Sequence, residues 1–162
     1  MRTFFLICFS VPFILLAQSE DDIAIEAVSS IGEAWSNSQL QSDYLEIVQD
    51  AGYDASIDGD GDVAFVVDGL NYYVQIFEDD PAYFRLILPN IQMLETDEQR
   101  VRAHETASIL TGRFRVAKLF VTKDRVWVSA EMFLTDPDQA ADVLDRCIKV
   151  VSNAREGYFQ MF

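Results

Sequence analysis

The chain has 162 residues, with 27 acidic and 12 basic side chains, so its formal net charge at pH 7 is −15. Residues 20–84 contain 16 acidic residues and no Lys or Arg, whereas residues 85–162 contain 11 residues of each sign. Such an acidic surface repels phosphate backbones and anionic lipids. Binding to nucleic acid and docking onto an anionic membrane are therefore excluded.

The first 19 residues are typical of a secretory signal peptide. Arg2 is their only charge, an apolar run follows from Phe4 to Ala17, and Ala17 and Ser19 are small residues placed for cleavage after Ser19. The run is shorter than the roughly 20 residues of a membrane-spanning helix. We predict an exported protein, periplasmic in a Gram-negative cell and otherwise extracellular, with no membrane insertion after cleavage.

Cleavage leaves residues 20–162, a length that suits a single domain. Cys147 is then the only cysteine, so an internal disulfide cannot form. Leu144, Ile148 and Val151 share helical spacing with Cys147, which predicts a buried packing role for the thiol.

Periodic apolar residues predict two helices before the first strand. The first is a helical extension over residues 20–37, in front of a core over residues 38–162. Ser38 and Gln41 have the pattern of a capping box, which predicts that the first core helix begins at Ser38. Gly52 is expected to end this helix, because glycine accepts the left-handed conformation of a C-terminal cap.

Alternating apolar and polar residues then predict a run of antiparallel strands. Asp68-Gly69 is a two-residue hairpin signal. Pro89-Asn90 is expected to close the fourth strand. The four predicted strands cover residues 53–57, 63–67, 70–77 and 83–88.

A second core helix is predicted from a Thr96–Gln99 cap to Gly112. Two strands then meet at a turn over residues 122–124. The last helix opens at Asp136-Pro137 and is expected to end at Gly157, with the apolar residues that follow packed on the body. The predicted inner face of the second helix consists of Val101, Ala103, Ala107 and Leu110. The predicted inner face of the last helix consists of Ala140, Leu144, Cys147, Ile148, Val151 and Ala154.

The order of elements is α-β-β-β-β-α-β-β-α. Strand runs separated by helices predict an α+β domain, in which an antiparallel sheet carries its helices on one face.

The aspartate-rich stretch from Asp54 to Asp62 resembles the first half of a calcium-binding loop. The twelfth position of that loop requires a bidentate glutamate, and Phe65 occupies it here. Aspartate and glycine are also the residues that form tight turns between strands. We therefore interpret the stretch as turns, with weak binding of a cation as an alternative.

No recognisable catalytic motif accompanies the single histidine, His104. A nucleophile elbow, a P-loop and a dinucleotide-binding glycine pattern are all missing from the sequence. We expect a protein that is not an enzyme and has no cofactor and no metal. The alternatives are a module that binds a small ligand or binds calcium weakly, and an unrecognised small hydrolase.

Basic residues gather between residues 100 and 125, in contrast to the acidic first half. They form either an ordinary solvated surface or a surface that docks on an acidic region of a protein partner or of a second copy of the chain. Aromatic residues of the third strand are candidate anchors, because aromatic side chains often dominate protein interfaces. The candidate interface consists of Tyr72, Tyr73, Phe77, Arg100, Arg113, Arg115 and Lys118.

Two stretches resemble YbjN-type domains: YLEIVQDAGYDASIDGDGDVAFVVDGLNYYVQIFEDD and RFRVAKLFVTKDRVWVSAEMFLTDPD. The first has a helix that ends in Gly-Tyr and strands joined by Asp-Gly turns. The second has a basic and aromatic hairpin followed by an acidic break before the final helix. The likeness covers residues 39–155. It implies a fold similar to type III secretion chaperones, which dimerise and hold segments of partner proteins without catalysis, and a role in regulating bacterial sensory transduction.

Overall fold

The computed structural model describes residues 36–77 and 79–162. The predicted signal peptide, and all but the last two residues of the predicted helical extension, lie outside these ranges. None of the helices within the described ranges combines the length and apolarity that a membrane span needs.

Within these described ranges, three helices and six strands follow one another in the predicted order. All strand pairs are antiparallel, and the spatial order in the sheet is β1-β2-β3-β4-β6-β5. The elements are α1 (Asn37–Asp50), β1 (Ala55–Ile57), β2 (Val63–Val67), β3 (Leu70–Gln75), β4 (Tyr83–Met93), α2 (Asp97–Arg113), β5 (Ala117–Thr122), β6 (Arg125–Phe133) and α3 (Gln139–Met161).

Helix α1 begins two residues earlier than the capping box predicts. Its N-cap is Ser36, whose hydroxyl accepts a hydrogen bond from the backbone N–H of Gln39 at 3.2 Å. Gln41 is not a capping residue. Its side chain donates to the carbonyl of Gly61 at 3.0 Å and so ties α1 to the β1–β2 turn.

Strand β4 does not stop at Pro89-Asn90 as predicted. It continues to Met93 through an irregularity between Leu88 and Gln92, where Asn90 adopts a positive φ of 55°. Proline has no N–H to give to a neighbouring strand, and a bulge is a place in a sheet where that loss is tolerated. The bulge lets the chain resume its pairing with β6.

The Thr96–Gln99 capping box of α2 is confirmed, but one predicted inner residue is wrong. Val101 is 58% exposed, and Thr106 is buried instead. The buried set is Ala103, Thr106, Ala107 and Leu110, which is the i, i+3, i+4, i+7 pattern of one helical stripe.

The predicted inner face of α3 is confirmed, but Gly157 does not end the helix. The helix continues to Met161, so Gly157 is an interior position near Leu110 of α2. Tyr158 is fully buried and its ring stacks on Phe162 at 5.2 Å, whereas Phe159 and Met161 are exposed, so the prediction that the apolar C-terminal residues pack on the body is confirmed only for Tyr158 and Phe162.

The hydrophobic core lies between the three helices and one face of the sheet. Phe84 of β4 is completely buried and meets the ring of Tyr44 from α1 edge-on at 5.6 Å. Cys147 of α3 is buried in the same core, as predicted, and burial raises the pKa of its thiol to about 11. The thiol is therefore protonated at neutral pH and is a packing group.

The opposite face of the sheet is organised around the carboxylate of Glu131. Lys118 forms an ion pair with it, and Ser129 donates a hydrogen bond to it at 2.6 Å. Arg85 Nε lies 3.3 Å from Glu131 Oε1, close enough for an ion pair but not aligned for a hydrogen bond. Burial by itself raises the pKa of Glu131, but the hydrogen bonds from Lys118, Ser129 and Tyr83 and the charge of Arg85 outweigh it, so the pKa is lowered.

Substitution Gly157→Ala should stabilise the fold by about 0.5–1 kcal/mol, because alanine is the better helix former. The added Cβ would lie 3.5 Å from Leu110 Cδ2, an ordinary contact. The matched control is Gly52→Ala at a φ of +92°, which should cost about 1 kcal/mol or more. Urea denaturation measures both. Destabilisation by Gly157→Ala would contradict the continuous α3.

Substitution Glu131→Gln should lower the free energy of unfolding at pH 7 by about 1–3 kcal/mol, because Lys118 and Arg85 lose their counter-charge. Since the folded pKa of Glu131 lies below its usual value of 4.5, its contribution is complete above pH 4.5 and disappears as the pH falls through the folded pKa. The difference between wild type and variant should shrink over that range in urea denaturation curves. Glu105→Gln on the exposed surface of α2 is the control, and an equally large effect there would refute the role of Glu131.

Candidate functional site

One face of the six-stranded sheet carries none of the helices of residues 36–77 and 79–162, and we call it the open face. Successive side chains of a strand point to opposite faces, so the alternate residues to those of the core line it. Beyond Ala64, Val66 and Asn71 toward the β1 edge, the open face includes Tyr73, Gln75, Tyr83, Arg85, Ile87, Lys118, Phe120, Trp127, Ser129, Glu131 and Phe133.

The centre of the open face is recessed below its surroundings, because small or short side chains lie there between larger ones. Tyr73, Ile87, Ser129 and Lys118 are neighbours in register across β3, β4, β6 and β5. Ile87 and Ser129 are almost completely buried although no helix covers them. The larger side chains around them therefore stand above a depressed floor.

Two depressions of ≈ 420 Å³ and ≈ 230 Å³ share Gln75, Asn90 and Trp127, and together they form what we call the groove. The larger depression extends to the β5–β6 turn, and the smaller one to the β1–β2 turn. The remaining lining residues of the larger depression are Arg85, Phe120, Thr122, Lys123, Asp124 and Arg125. Those of the smaller depression are Asp58, Asp60, Asp62, Tyr73, Ile87 and Pro89.

The middle of the groove is aromatic and holds two polar atoms without partners. The rings of Trp127 and Phe120 are 6.1 Å apart, and the guanidinium of Arg85 lies over Phe120 at 5.1 Å. Trp127 Nε1, a donor, and Gln75 Oε1, an acceptor, are buried and have no hydrogen-bond partner among the residues that the structure describes. An unpaired buried polar atom costs free energy, so each of these two atoms would gain from a hydrogen bond to a bound molecule.

A second aromatic cluster lies beside the groove on the open face. Tyr83 contacts Phe77 at 5.1 Å and Phe133 at 5.6 Å between ring centroids. Burial and the neighbouring Glu131 carboxylate raise the pKa of Tyr83 to about 12, so its hydroxyl stays a hydrogen-bond donor over the physiological range. Phe133 is 67% exposed, which makes it an apolar surface for contact with another molecule.

The β1–β2 turn forms an acidic end of the groove. Asp58 Oδ1 accepts hydrogen bonds from the backbone N–H groups of Asp60 and Asp62, at 2.9 and 3.0 Å. Asp62 in turn accepts from Ile76 N–H at 2.9 Å and from Gln75 Nε2 at 3.2 Å. These bonds confirm that the aspartates build a turn. Within the described ranges, no three His, Cys, Asp or Glu side chains are placed to share a metal ion.

The β5–β6 turn forms a basic end of the groove. Lys123 occupies the turn with a positive φ of 56°, and Arg125 follows it. Asp124 lies between them, 3.7 Å from Arg125 Nε, and only partly offsets their charge.

At both edges of the sheet, side chains from the helices form hydrogen bonds with backbone groups of the edge strand. At the β5 edge, Thr111 Oγ1 accepts from Leu119 N–H at 2.9 Å and lies 3.1 Å from the carbonyl of Leu119, to which it donates. At the β1 edge, Gln49 Nε2 donates to the carbonyl of Ala55 at 3.1 Å. These contacts obstruct the addition of a further strand, so the open face is the more accessible surface.

The structure separates the candidate interface residues predicted from the sequence. Tyr72 is 1% exposed and packs in the core, because the alternation of β3 turns it toward the helices; the proposal that it is an interface anchor is wrong. Tyr73 and Lys118 lie on the open face, and Phe77 lies beside it.

The three predicted arginines lie away from the groove. Arg100 is paired with Asp97 and donates to the carbonyl of Leu94, so it stabilises the start of α2. Arg113 contacts Met161 Sδ at 3.6 Å near the end of α3, and Arg115 is exposed between α2 and β5. The described residues thus bring no continuous basic interface together from this set.

Sequence reasoning missed Trp127, the central aromatic residue of the groove. In the stretch RVWVSAEMF, Trp127 alternates in phase with Ser129 and Glu131, which are polar. A tryptophan on the polar side of an alternating strand is the signal that could have found it.

His104 lies on the exposed surface of α2. The shallow surface around it is lined by Glu105, Ser108 and Ile109 of the same helix. In the part of the chain that the structure describes, no second element brings a nucleophile or carboxylate to that surface, so the residues that line it offer no catalytic arrangement.

Two solved structures resemble the chain. The crystal structure of YbjN from E. coli has a TM-score of 0.55 at 9% sequence identity, covering 68% of this chain and 84% of that one. The crystal structure of the Yersinia pestis type III secretion chaperone SycH, in complex with a stable fragment of YscM2, has a TM-score of 0.46 at 13% identity, covering 71% of this chain and 98% of that one. The similarity to YbjN confirms the predicted α+β fold.

Comparison with curated protein sequences gives no match. The family described as TY-Chap1, the "T3SS (YopN, CesT) and YbjN peptide-binding chaperone 1" family, matches residues 40–158, which is most of the chain. The match confirms the resemblance to YbjN-type domains inferred from the sequence. The chain belongs to the TY-Chap1 family of peptide-binding chaperones.

Proposed function

We propose that this protein is an exported, non-enzymatic module that holds an extended segment of a partner protein in the groove of its open face. The observation that carries the proposal is the uncovered sheet face, with Trp127 and Phe120 beside a depressed floor. Aromatic side chains in a groove supply much of the contact area in peptide recognition. Membership in a peptide-binding family supports the same function.

The shape of the groove favours a chain segment over a small molecule. Its two depressions meet at Trp127 and extend toward opposite turns, so the site is elongated and open along its length. Small-molecule sites are usually deeper cavities that bury most of the ligand. The unpaired Trp127 Nε1 and Gln75 Oε1 are one donor and one acceptor, which are the two groups that a backbone amide can complement.

The proposed cellular role combines two properties, export from the cytoplasm and binding of a segment of a partner protein. Such a protein acts in the bacterial envelope or outside the cell as a chaperone-like or regulatory protein. The partner is another protein or a second copy of this chain, and the charge of the first 84 residues disfavours nucleic acid.

Substitution Trp127→Ala should weaken binding of peptides by about tenfold or more, because a central aromatic anchor is lost. The probes are peptides selected with the wild-type protein from a random twelve-residue library, and isothermal titration measures their affinity. The matched control is Phe159→Ala, an aromatic residue of α3 that is 44% exposed on the helical side. Equal binding by wild type and the Trp127 variant would contradict the proposed site.

Fluorescence tests the same site without the risk that a truncated variant folds poorly. In a Trp35→Phe background, Trp127 is the single tryptophan of the chain. Addition of a selected peptide should shift its emission maximum, because the indole leaves contact with water. An emission spectrum that does not change at saturating peptide would place binding elsewhere.

Expression in a Gram-negative host should yield a periplasmic protein whose N-terminal residue is Glu20, since Ala17 and Ser19 suit a signal peptidase. Cell fractionation and intact-mass measurement check both points. Leu15→Arg places a charge in the apolar run and should leave the full-length chain in the cytoplasm. Full-length wild-type protein confined to the cytoplasm would contradict export.

A further inference from the structure

The groove has charges of opposite sign at its two ends. Asp58, Asp60 and Asp62 line the depression at the β1–β2 turn, while Lys123 and Arg125 line the one at the β5–β6 turn. Among the ion pairs of the described residues, none includes the three aspartates or Lys123. The hydrogen bonds of Asp58 and Asp62 come from neutral donors, so they leave the negative charge uncompensated.

Other charged groups near the groove do not cancel this polarity. Arg85 faces the larger depression and shares the single carboxylate of Glu131 with Lys118, so this network keeps one positive charge on the side of the basic end. Asp124 offsets one of the two positive charges at the basic end. The basic end therefore keeps a net positive charge, and the acidic end keeps a net negative one.

The two ends are too far apart to neutralise each other. From Asp62, next to β2, to Arg125 on β6 the register counts three strand spacings and six residues along the strand, which in an ideal sheet is about 25 Å on the diagonal. This distance is about three Debye lengths at physiological ionic strength, so the direct attraction between the ends is largely screened. Each end is available to a charge on a bound molecule.

The floor between the ends is suited to uncharged residues. Ile87 and Trp127 provide apolar surface, and Gln75 and Trp127 provide the unpaired acceptor and donor for a backbone amide. An extended chain advances about 3.3 Å per residue, so about seven residues span the distance between the ends.

We propose that the groove selects segments in which a basic residue and an acidic residue flank about seven mostly uncharged residues. This inference rests on the proposed function and specifies which segments the same site takes. The basic residue lies against Asp58, Asp60 and Asp62, and the acidic residue lies against Lys123 and Arg125. Charge complementarity of this kind mainly sets specificity, since exposed ion pairs add little affinity one by one.

The test uses four synthetic peptides with blocked termini and one uncharged seven-residue centre taken from a selected binder. Their flanking residues are Lys and Glu, Lys and Lys, Glu and Glu, or Ser and Ser. The wild-type protein should bind the Lys/Glu peptide about tenfold more tightly than the Lys/Lys and Glu/Glu peptides, and the preference should fall at 0.5 M salt. Because only the sign of each end matters, the outcome does not depend on the direction in which the peptide lies.

The double substitution Lys123→Glu with Arg125→Glu should switch the preference to the Lys/Lys peptide, since both ends are then acidic. The matched control is Arg146→Glu with Lys149→Glu, which makes the same change of charge on the exposed side of α3. Its preference should remain that of the wild type. A preference that the groove substitution leaves unchanged would overturn the inference.

The peptide series separates this inference from the proposed function. Equal binding of all four peptides to the wild-type protein would overturn the charge selectivity while leaving peptide binding intact. Failure of every peptide to bind, the Ser/Ser peptide included, would overturn the proposed function and the inference with it.

Discussion

The structure depends on the unequal covering of the two faces of one antiparallel sheet. Three helices bury one face through residues such as Phe84 and Val128, and this burial supplies the hydrophobic free energy that holds the domain without a disulfide in the described part of the chain. The other face has to be stable in contact with water. It achieves this through the charge network around Glu131 and through aromatic side chains that shield Ile87 and Ser129. This arrangement of side chains on the open face also leaves the groove, in which we propose that another chain binds.

The family and the structure together support a protein-interaction module. TY-Chap1 proteins are described as peptide-binding chaperones, and the described residues around His104 and Cys147 offer no catalytic arrangement. The sheet edges are engaged by Thr111 and Gln49, so the proposed site for a partner is the open face and not a strand edge. Side chains, unlike a strand edge, can discriminate between segments by charge and by size.

Local patterns were sufficient to predict the fold class and the order of the elements. The alternation in β2 and β3, the Asp68-Gly69 turn and the Thr96–Gln99 capping box are all signals carried by neighbouring residues. Several errors arose where a contact outside the local pattern decides the outcome. The bulge at Pro89 requires pairing with β6, Gly157 is held in a helix that packs beside Leu110, and Thr106 is buried because its neighbours in α2 face the sheet. The groove could not be located from the sequence, because Trp127, Gln75 and Asp60 come from separate strands and turns.

The central claim is that a partner segment lies on the open face of the sheet. Amide chemical shifts in ¹H–¹⁵N NMR spectra test it most directly, with a segment selected from a peptide library added to the labelled protein. Our account predicts that the largest shift changes fall on β3, β4 and β6 around Tyr73, Ile87 and Trp127, and on the two turns at the ends of the groove. Changes confined to the exposed surfaces of α2 and α3, with the open face unaffected, would contradict it.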